Sequence, residues 1–218
     1  MRFLILGATG PSGILIVRKT LEIYPDASIV IFARSPQKVP QDLTQNPVIT
    51  LIKGEFTDLD ILSTAVQGVD VVLSALGPSV NHPTGNVIAT FYSHLVDLMN
   101  KHNVKRIILL GTGSISDSND KLNLVFKLLI AGVRIAAYTA YQDIVAVGQV
   151  IRTKGDALDW TIVRVPLLTY NESEDVVAGH IGDGKTASWL SRKAYAAFSV
   201  NEVEKREWVK KAPLISSP

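Results

Sequence analysis

"LILGATGPSGILIVRKTL", residues 4–21, decides the fold. Three aliphatic residues lead into glycines at positions 7, 10 and 13, and then into a run of helix formers. The order implied is strand, tight turn, helix. Each glycine has its own mechanical task there. Gly7 lets the chain turn sharply off the strand, Gly10 lets the backbone approach a pyrophosphate, and Gly13 lets the helix pack against the sheet. The first helical amides then point at the phosphates, and the helix dipole favours their charge. Pro11 suits the first helical position, where its missing N–H is no loss. A glycine triplet alone is a weak signal. On the first strand, with a second strand about twenty residues later, it reads as a dinucleotide-binding turn, and Thr9 and Ser12 join the candidate contacts.

The end of the second strand selects the dinucleotide. A carboxylate there would bond a ribose 2′-hydroxyl and repel a 2′-phosphate. The sequence instead reads "IVIFARSPQKV", with Arg34 and Ser35 at the decisive place and Lys38 nearby. A guanidinium fork matches a phosphate, so NADP(H) is expected over NAD(H).

Continuous aliphatic strands alternate with helical patterns along the first 165 residues: Phe3–Leu6, Ser28–Phe32, Val48–Ile52, Val69–Ser74, Arg106–Leu110 and Trp160–Val165. Such runs indicate strands buried on both faces, hence a parallel sheet covered by helices. Thr84–His102 carries one apolar stripe through Val87, Ile88, Phe91, Leu95, Leu98 and Met99. Asp58 is expected to cap the helix "LDILSTAVQG", with Gly68 at its C-terminus. The expected fold class is α/β: a Rossmann-type, doubly wound parallel sheet with helices on both faces. The chain reads as a single domain over 1–218, with about 166–218 adding a small C-terminal substrate lobe.

Bulk properties narrow the function. The 218 residues are 47% apolar, which suits one sizeable core. Lys and Arg total 22 against 20 Asp and Glu, and no basic stripe suggests a nucleic-acid partner. With no cysteine, disulfides, thiolate metal sites and cysteine nucleophiles are excluded. The start "MRFLILGATG" enters a strand directly and offers no cleavable signal region. The apolar stretch from Leu122 carries Lys127 and Arg134 and is shorter than the ~20 residues of a membrane span. A cytoplasmic, non-membrane protein, monomeric or homodimeric, is expected.

"GATGPSG", "FARSPQKV", "KGEFTD", "SALGPS", "RIILLGTGSIS" and "DWTIVRVP" together resemble the atypical short-chain dehydrogenase/reductases with an NmrA-like NAD(P)-binding domain. The likeness is nearest to their small single-domain members of the flavin reductase (biliverdin-IXβ reductase) type. It extends nearly end to end, with "WLSRKAYAAF" and "EWVKKAPLIS" as closing helix and strand. The first two motifs are specific together and the rest are soft. The resemblance implies NADP(H) binding, with a small-molecule substrate lying over the nicotinamide.

Two strand exits fall where the cofactor should pass. Gly54, Glu55 and Phe56 would lie near the adenine, and Leu76, Gly77 and Pro78 near the inner ribose and nicotinamide. Thr112 and Pro166, at the ends of the fifth and sixth strands, complete the cofactor set.

In relatives the segment after the fifth strand lines the active site, which here is Thr112, Gly113 and Ser114. Ser114 is the leading catalytic candidate as a donor to substrate; capping the following loop is its other reading. Mainstream members use a Ser, a Tyr and a Lys four residues beyond that Tyr. This chain departs from them: Tyr138 is followed by Gln142, and Tyr141 by Val145. Tyr138 and Tyr141 remain candidates without that lysine. Hydride transfer to a flavin or quinone needs positioning more than a protein acid, so the departure is neutral toward such chemistry.

Leu167, Leu168 and Tyr170 could wall a flat ring. Lys121–Ala131 could be a lid, a dimer helix or core. His82, His94, His102 and His180 lack metal-ligand spacing; of these, His82 could line the crevice, with a surface-loop position as its plainer reading. Asn171–Ser173 matches a glycosylation acceptor that should be idle. A reductase of planar conjugated acceptors leads. A dinucleotide-sensing regulator and a non-redox isomerase or cyclase are the alternatives.

Overall fold

Aliphatic strands without alternation need cover on both faces, and the computed structural model, which describes residues 1–79 and 81–218, supplies it. β1 (Arg2–Leu6), β2 (Ser28–Ala33), β3 (Ile49–Lys53), β4 (Val71–Ser74), β5 (Arg106–Thr112) and β6 (Asp159–Val165) are parallel neighbours in the order β3-β2-β1-β4-β5-β6. Beyond β6 come β10 (Leu214–Ser216), also parallel, and β8 (Val177–Gly179), antiparallel at the edge. The fold is the expected doubly wound Rossmann type.

The strand period of two divides the core. Leu4 and Leu6 face α3 (Leu59–Val66), α4 (Val87–Lys101) and α6 (Tyr138–Lys154), whereas Phe3 and Ile5 face α1 (Pro11–Ile23) and α7 (Arg192–Lys205). Each such side chain contributes about 1.5–3 kcal/mol on full burial. Leu6 pairs with Phe32 of β2 and with Ser74 of β4. The exits of β1, β2 and β4 are thus level with one another where chain order reverses, and such a reversal leaves a crevice.

Several local readings need correction. Asp58 occupies the position before α3 but makes no side-chain bond to its amides; its carboxylate accepts the Glu55 N–H at 2.7 Å instead. Gly68 does follow the helix with a φ of +69°. Lys121–Ala131 runs into α5 (Leu124–Ala136), and core burial does not describe it: Phe126 is its one buried residue, while Leu124, Leu128 and Ile135 are 69, 74 and 85% exposed. Among the described residues no single helix is long and apolar enough to cross a membrane; α5 and α6 have the composition together but meet at a 117° bend. Within 166–218, where a small C-terminal lobe is expected, β7 (Leu167–Thr169) and β9 (Trp189–Ser191) form a separate two-stranded parallel sheet. From the same stretch, α7 and β10 complete the main sandwich.

One buried charge ties the substrate-side loops to the sheet. Arg164 on β6 is fully buried and forks onto Asp120 at 2.6 and 2.8 Å. Its remaining donors reach the Ala212 and Ile115 carbonyls. Asp120 also accepts the Ile181 N–H, so the segment carrying Ser114 is anchored to β6, to the β8 loop and to the approach to β10. Burial alone would raise the Asp120 carboxyl; Arg164 and the amides of Asp117 and Ile181 outweigh it and hold the carboxyl below its usual value.

Removing that carboxylate strands a buried guanidinium. Asp120→Asn should cost about 2–4 kcal/mol, below the fully buried case because Asp120 is 17% exposed. Thermal melts should show a fall of roughly 5–15 °C at neutral pH. A depressed carboxyl stabilises above its unfolded value and loses that contribution as pH falls through its folded value, so the gap between wild type and variant should narrow in acid.

Candidate functional site

The crevice is a cleft of about 600 Å³. Of the sequence candidates, Gly7, Thr9, Arg34, Ser35, Lys38, Glu55, Phe56, Leu76 and Gly77 line it. Gly10, Pro11, Ser12 and Gly13 form the turn into α1, next to the lining residues Gly7 and Thr9, and do not themselves line the cleft.

The turn is built by close approach. Gly7 has a φ of +77°, and a Cβ there would lie 2.8 Å from the Ala75 carbonyl carbon. A Cβ on Gly13 would lie 2.1 Å from the Gly7 oxygen, closer than any side chain permits. A Cβ on Gly10 would meet only that oxygen, at 3.5 Å, so Gly10 keeps space open and makes no tight contact within the chain. Gly10 precedes α1 in an extended conformation with no side-chain cap, and no acidic residue occupies the first turn. Orphan amides at an uncapped helix end suit a phosphate.

The far end of the cleft is aromatic and cationic. Phe56 stands on Phe91 with ring centroids 4.5 Å apart, and the exposed Arg34 guanidinium lies 5.7 Å from the Phe56 ring. His94 on α4 joins this wall, and its Nδ1 is buried with no partner among the described residues. A cradle that side chains would fill, an uncapped helix end and an orphaned ring nitrogen together fit a dinucleotide.

Behind the β4 exit, Ser74 Oγ meets Tyr92 OH at 2.6 Å and accepts the Leu76 N–H at 3.3 Å. Tyr195 OH donates to the Ser74 carbonyl at 3.0 Å. Burial pushes both phenols above the usual tyrosine range. They therefore stay neutral and act as struts for the Leu76–Gly77 turn.

The catalytic candidates lie elsewhere. Ser114 is half-buried beyond β5, its N–H bonded to Thr112 Oγ1 at 3.2 Å, and neither residue lines the cleft. Tyr138 is 51% exposed and accepts from Gln142 Nε2 at 3.1 Å. Tyr141 sits under Arg134, 5.9 Å from its guanidinium. Neither tyrosine reaches the cleft, and Pro166 does not line it.

Leu168 packs into the core, whereas Tyr170 lies 4.2 Å from the Arg192 guanidinium in a separate groove of about 260 Å³ beside α1. His102 bonds Ser63, and His180 approaches Asp117. Among the described residues no group of three or more His, Asp or Glu side chains is placed to hold a metal ion.

Sequence reasoning missed Asp143. It is fully buried on α6 and accepts the N–H groups of Ile88 and Ala89, capping α4 from another helix, and it pairs with His82. An acidic residue in an otherwise apolar helix stripe was the available signal.

Residues 7–206 match the NAD(P)H-binding family. The chain belongs to that family. No curated protein matches the sequence. Solved structures share the fold: an ethylated short-chain dehydrogenase/reductase from Veillonella parvula is 20% identical with a TM-score of 0.82, covering 100% of this chain and 94% of that one. A wide-type short-chain dehydrogenase/reductase from the same organism, in complex with NADP, is 19% identical at 0.79, with coverage of 100% and 94%. The anaerobillin reductase ChuY of Escherichia coli O157:H7 is 16% identical at 0.79, with coverage of 100% and 98%.

The glycine cradle separates folding from binding. Gly13→Ala forces backbone apart and should cost about 1–3 kcal/mol, read as a lowered melting temperature. Gly10→Ala should melt within about 2 °C of wild type yet bind dinucleotide at least about tenfold more weakly by calorimetric titration. Unchanged binding by Gly10→Ala would contradict a pyrophosphate at that turn.

Proposed function

We propose that the protein is an NADPH-dependent reductase of small planar conjugated acceptors of the flavin, quinone or enone type. The observation carrying this reading is the cationic exit of β2. Arg34 and Lys38 both line the cleft, and neither is paired with a carboxylate among the described residues. A 2′-phosphate would satisfy them, whereas a 2′-hydroxyl would leave two cations unanswered. Phe56, backed by Phe91, offers a face for the adenine, and His94 Nδ1 a hydrogen bond to its edge.

Bound NADPH supplies a hydride. The chain's own residues bind and orient. The α1 amides would take the pyrophosphate, and the Ser74–Tyr92–Tyr195 struts, which fix the Leu76–Gly77 turn, would set that turn against the nicotinamide end. Leu76, Pro83 and Val87 make an apolar wall that favours a flat acceptor and keeps water off its face. With both tyrosine candidates outside the cleft, a carbonyl reductase working by a Tyr–Lys pair is disfavoured, and acceptors that demand positioning are favoured. Two neighbours, one holding NADP and one an anaerobillin reductase, agree at the level of fold.

A second reading, a dinucleotide-responsive regulator, is favoured by the uncovered apolar residues of α5. It would bind reduced and oxidised cofactor with different affinities, turn over no acceptor and capture a protein through α5.

Arg34→Ala should raise the NADPH dissociation constant about 10- to 100-fold, the loss of a charge-assisted contact, and leave NADH within about twofold. Oxidation of NADPH with FMN, menadione or cyclohexenone supports the reductase. Tight NADPH binding with no turnover of any of them transfers the case to the regulator.

A further inference from the structure

Among the groups lining the cleft, His82 is held from two directions. Its Nε2 lies 2.6 Å from Asp143 Oδ2, and the two side chains are 4% and 0% exposed. One turn earlier on α6, Thr139 Oγ1 donates to the His82 carbonyl at 2.9 Å. Asp143 in turn is fixed by the Ile88 and Ala89 amides at 2.9 and 2.8 Å. A carboxylate only accepts, so Nε2 carries the hydrogen of that bond and Nδ1 is the nitrogen left to exchange a proton. The ring's tautomer and its direction are both set by buried groups. Capping α4 explains the two amide bonds of Asp143 but gives no reason to seat an imidazole against it in the wall of a cleft.

The sheet order places this group. Arg34 follows β2, on one side of β1; His82 follows β4, on the other, and is anchored to the first turns of α6. A dinucleotide with its adenosine end at Arg34 and its pyrophosphate at α1 brings its other end toward β4 and the His82 loop.

We propose that His82 donates the proton that accompanies reduction, with Asp143 and Thr139 as positioning residues; this rests on the reductase reading above. The acceptor gains a hydride, with its electron pair, at one end of its conjugated system. The displaced π pair moves to the terminal oxygen. His82 Nδ1–H gives its proton to that oxygen, an O–H bond forms, and the neutral imidazole regains a proton from water. The sum is one hydride and one proton added per cofactor oxidised. An enone gains most, because its enolate is a strong base, while a quinone gains less.

The test uses the full chain with NADPH, cyclohexenone and menadione. His82→Ala should lower kcat at least about a hundredfold with cyclohexenone, with a much smaller change in NADPH affinity, and added imidazole should restore part of the rate. His82→Gln, whose amide nitrogen reaches as far as the ring Nε2 and can still donate to Asp143 but carries no transferable proton, should lose kcat similarly at a near-native melting temperature, without imidazole rescue. Independently of turnover, imidazole nitrogen NMR should show His82 protonated on Nε2 when neutral, and that preference should weaken in Asp143→Asn.

Rates within about threefold of wild type for both variants, or a loss that imidazole does not repair and that NADPH affinity shares equally, would overturn the assignment and leave the reductase standing. A neutral ring protonated on Nδ1 would overturn it as well. Wild-type protein that binds NADPH and reduces neither probe removes the reductase reading, and His82 as its proton donor with it.

Discussion

The approach of α1 to the end of β1 is the constraint on which the rest depends. Gly13 sits so near the Gly7 carbonyl that no side chain fits between them, and Gly7 takes a positive φ against the backbone of Ala75. Three elements meet there: the exit of β1, the start of α1 and the exit of β4. Pulling α1 in by the width of a methyl group brings its uncapped N-terminus up against the exit of β1, beside Gly7 and Thr9 of the crevice, and sets the helix against α7. The same contact fixes where the Leu76–Gly77 turn can run. The dinucleotide site is therefore a consequence of how tightly a helix and a sheet can pack when two residues have no Cβ.

Away from that contact, buried charge positions the loops that the sheet leaves irregular. Arg164 with Asp120 draws the β5–α5 segment and the β8 loop to β6, while Asp143 draws the β4–α4 loop to α6. Arg106 does the same for α7, reaching Thr161 and both the carbonyl and carboxylate of Glu202. Burial pulls the Arg106 guanidinium down to about 10, with Glu202 opposing. Such pairs add little net stability compared with apolar replacements. Their effect is geometric: each stranded partner is costly, so each loop has one low-energy position.

How much of this the sequence discloses follows from the range of the interactions. The six parallel strands are legible because burial on both faces writes itself into consecutive residues, Leu4 to Leu6 or Ile107 to Leu110. The glycine turn is legible because its constraint is local. Strands β7, β8 and β9 are three residues each and owe their form to partners far along the chain, Leu167 to Trp189 and Val177 to Ser216. No local pattern could announce them. Asp58 has the right residue type for a cap, yet the Glu55 amide competes for its carboxylate and wins. For α5 the periodicity gives a helix, but an apolar count cannot say whether anything covers Leu128 or Ile135.

Most of the turn residues read from the sequence line the cleft and the tyrosines of α6 do not, for one physical reason. Gly7, Thr9, Arg34, Glu55 and Leu76 are turn residues adjacent to strands, whose positions the sheet dictates. Residues on the first turns of α6 are different, because the helix's rotation decides which of them face inward. Tyr138 and Tyr141 resemble chemistry by type but point to solvent and to Arg134. The pair that α6 presents to the β4–α4 loop is Thr139 and Asp143, one turn apart, and both serve His82. That rotation is set by Ala140, Ile144, Val147 and Ile151 packing inward, leaving the tyrosines no route to the cleft. The wall of the cleft on this side is consequently formed by a loop histidine and the helix face that holds it, and the tyrosines lie outside the cleft on α6.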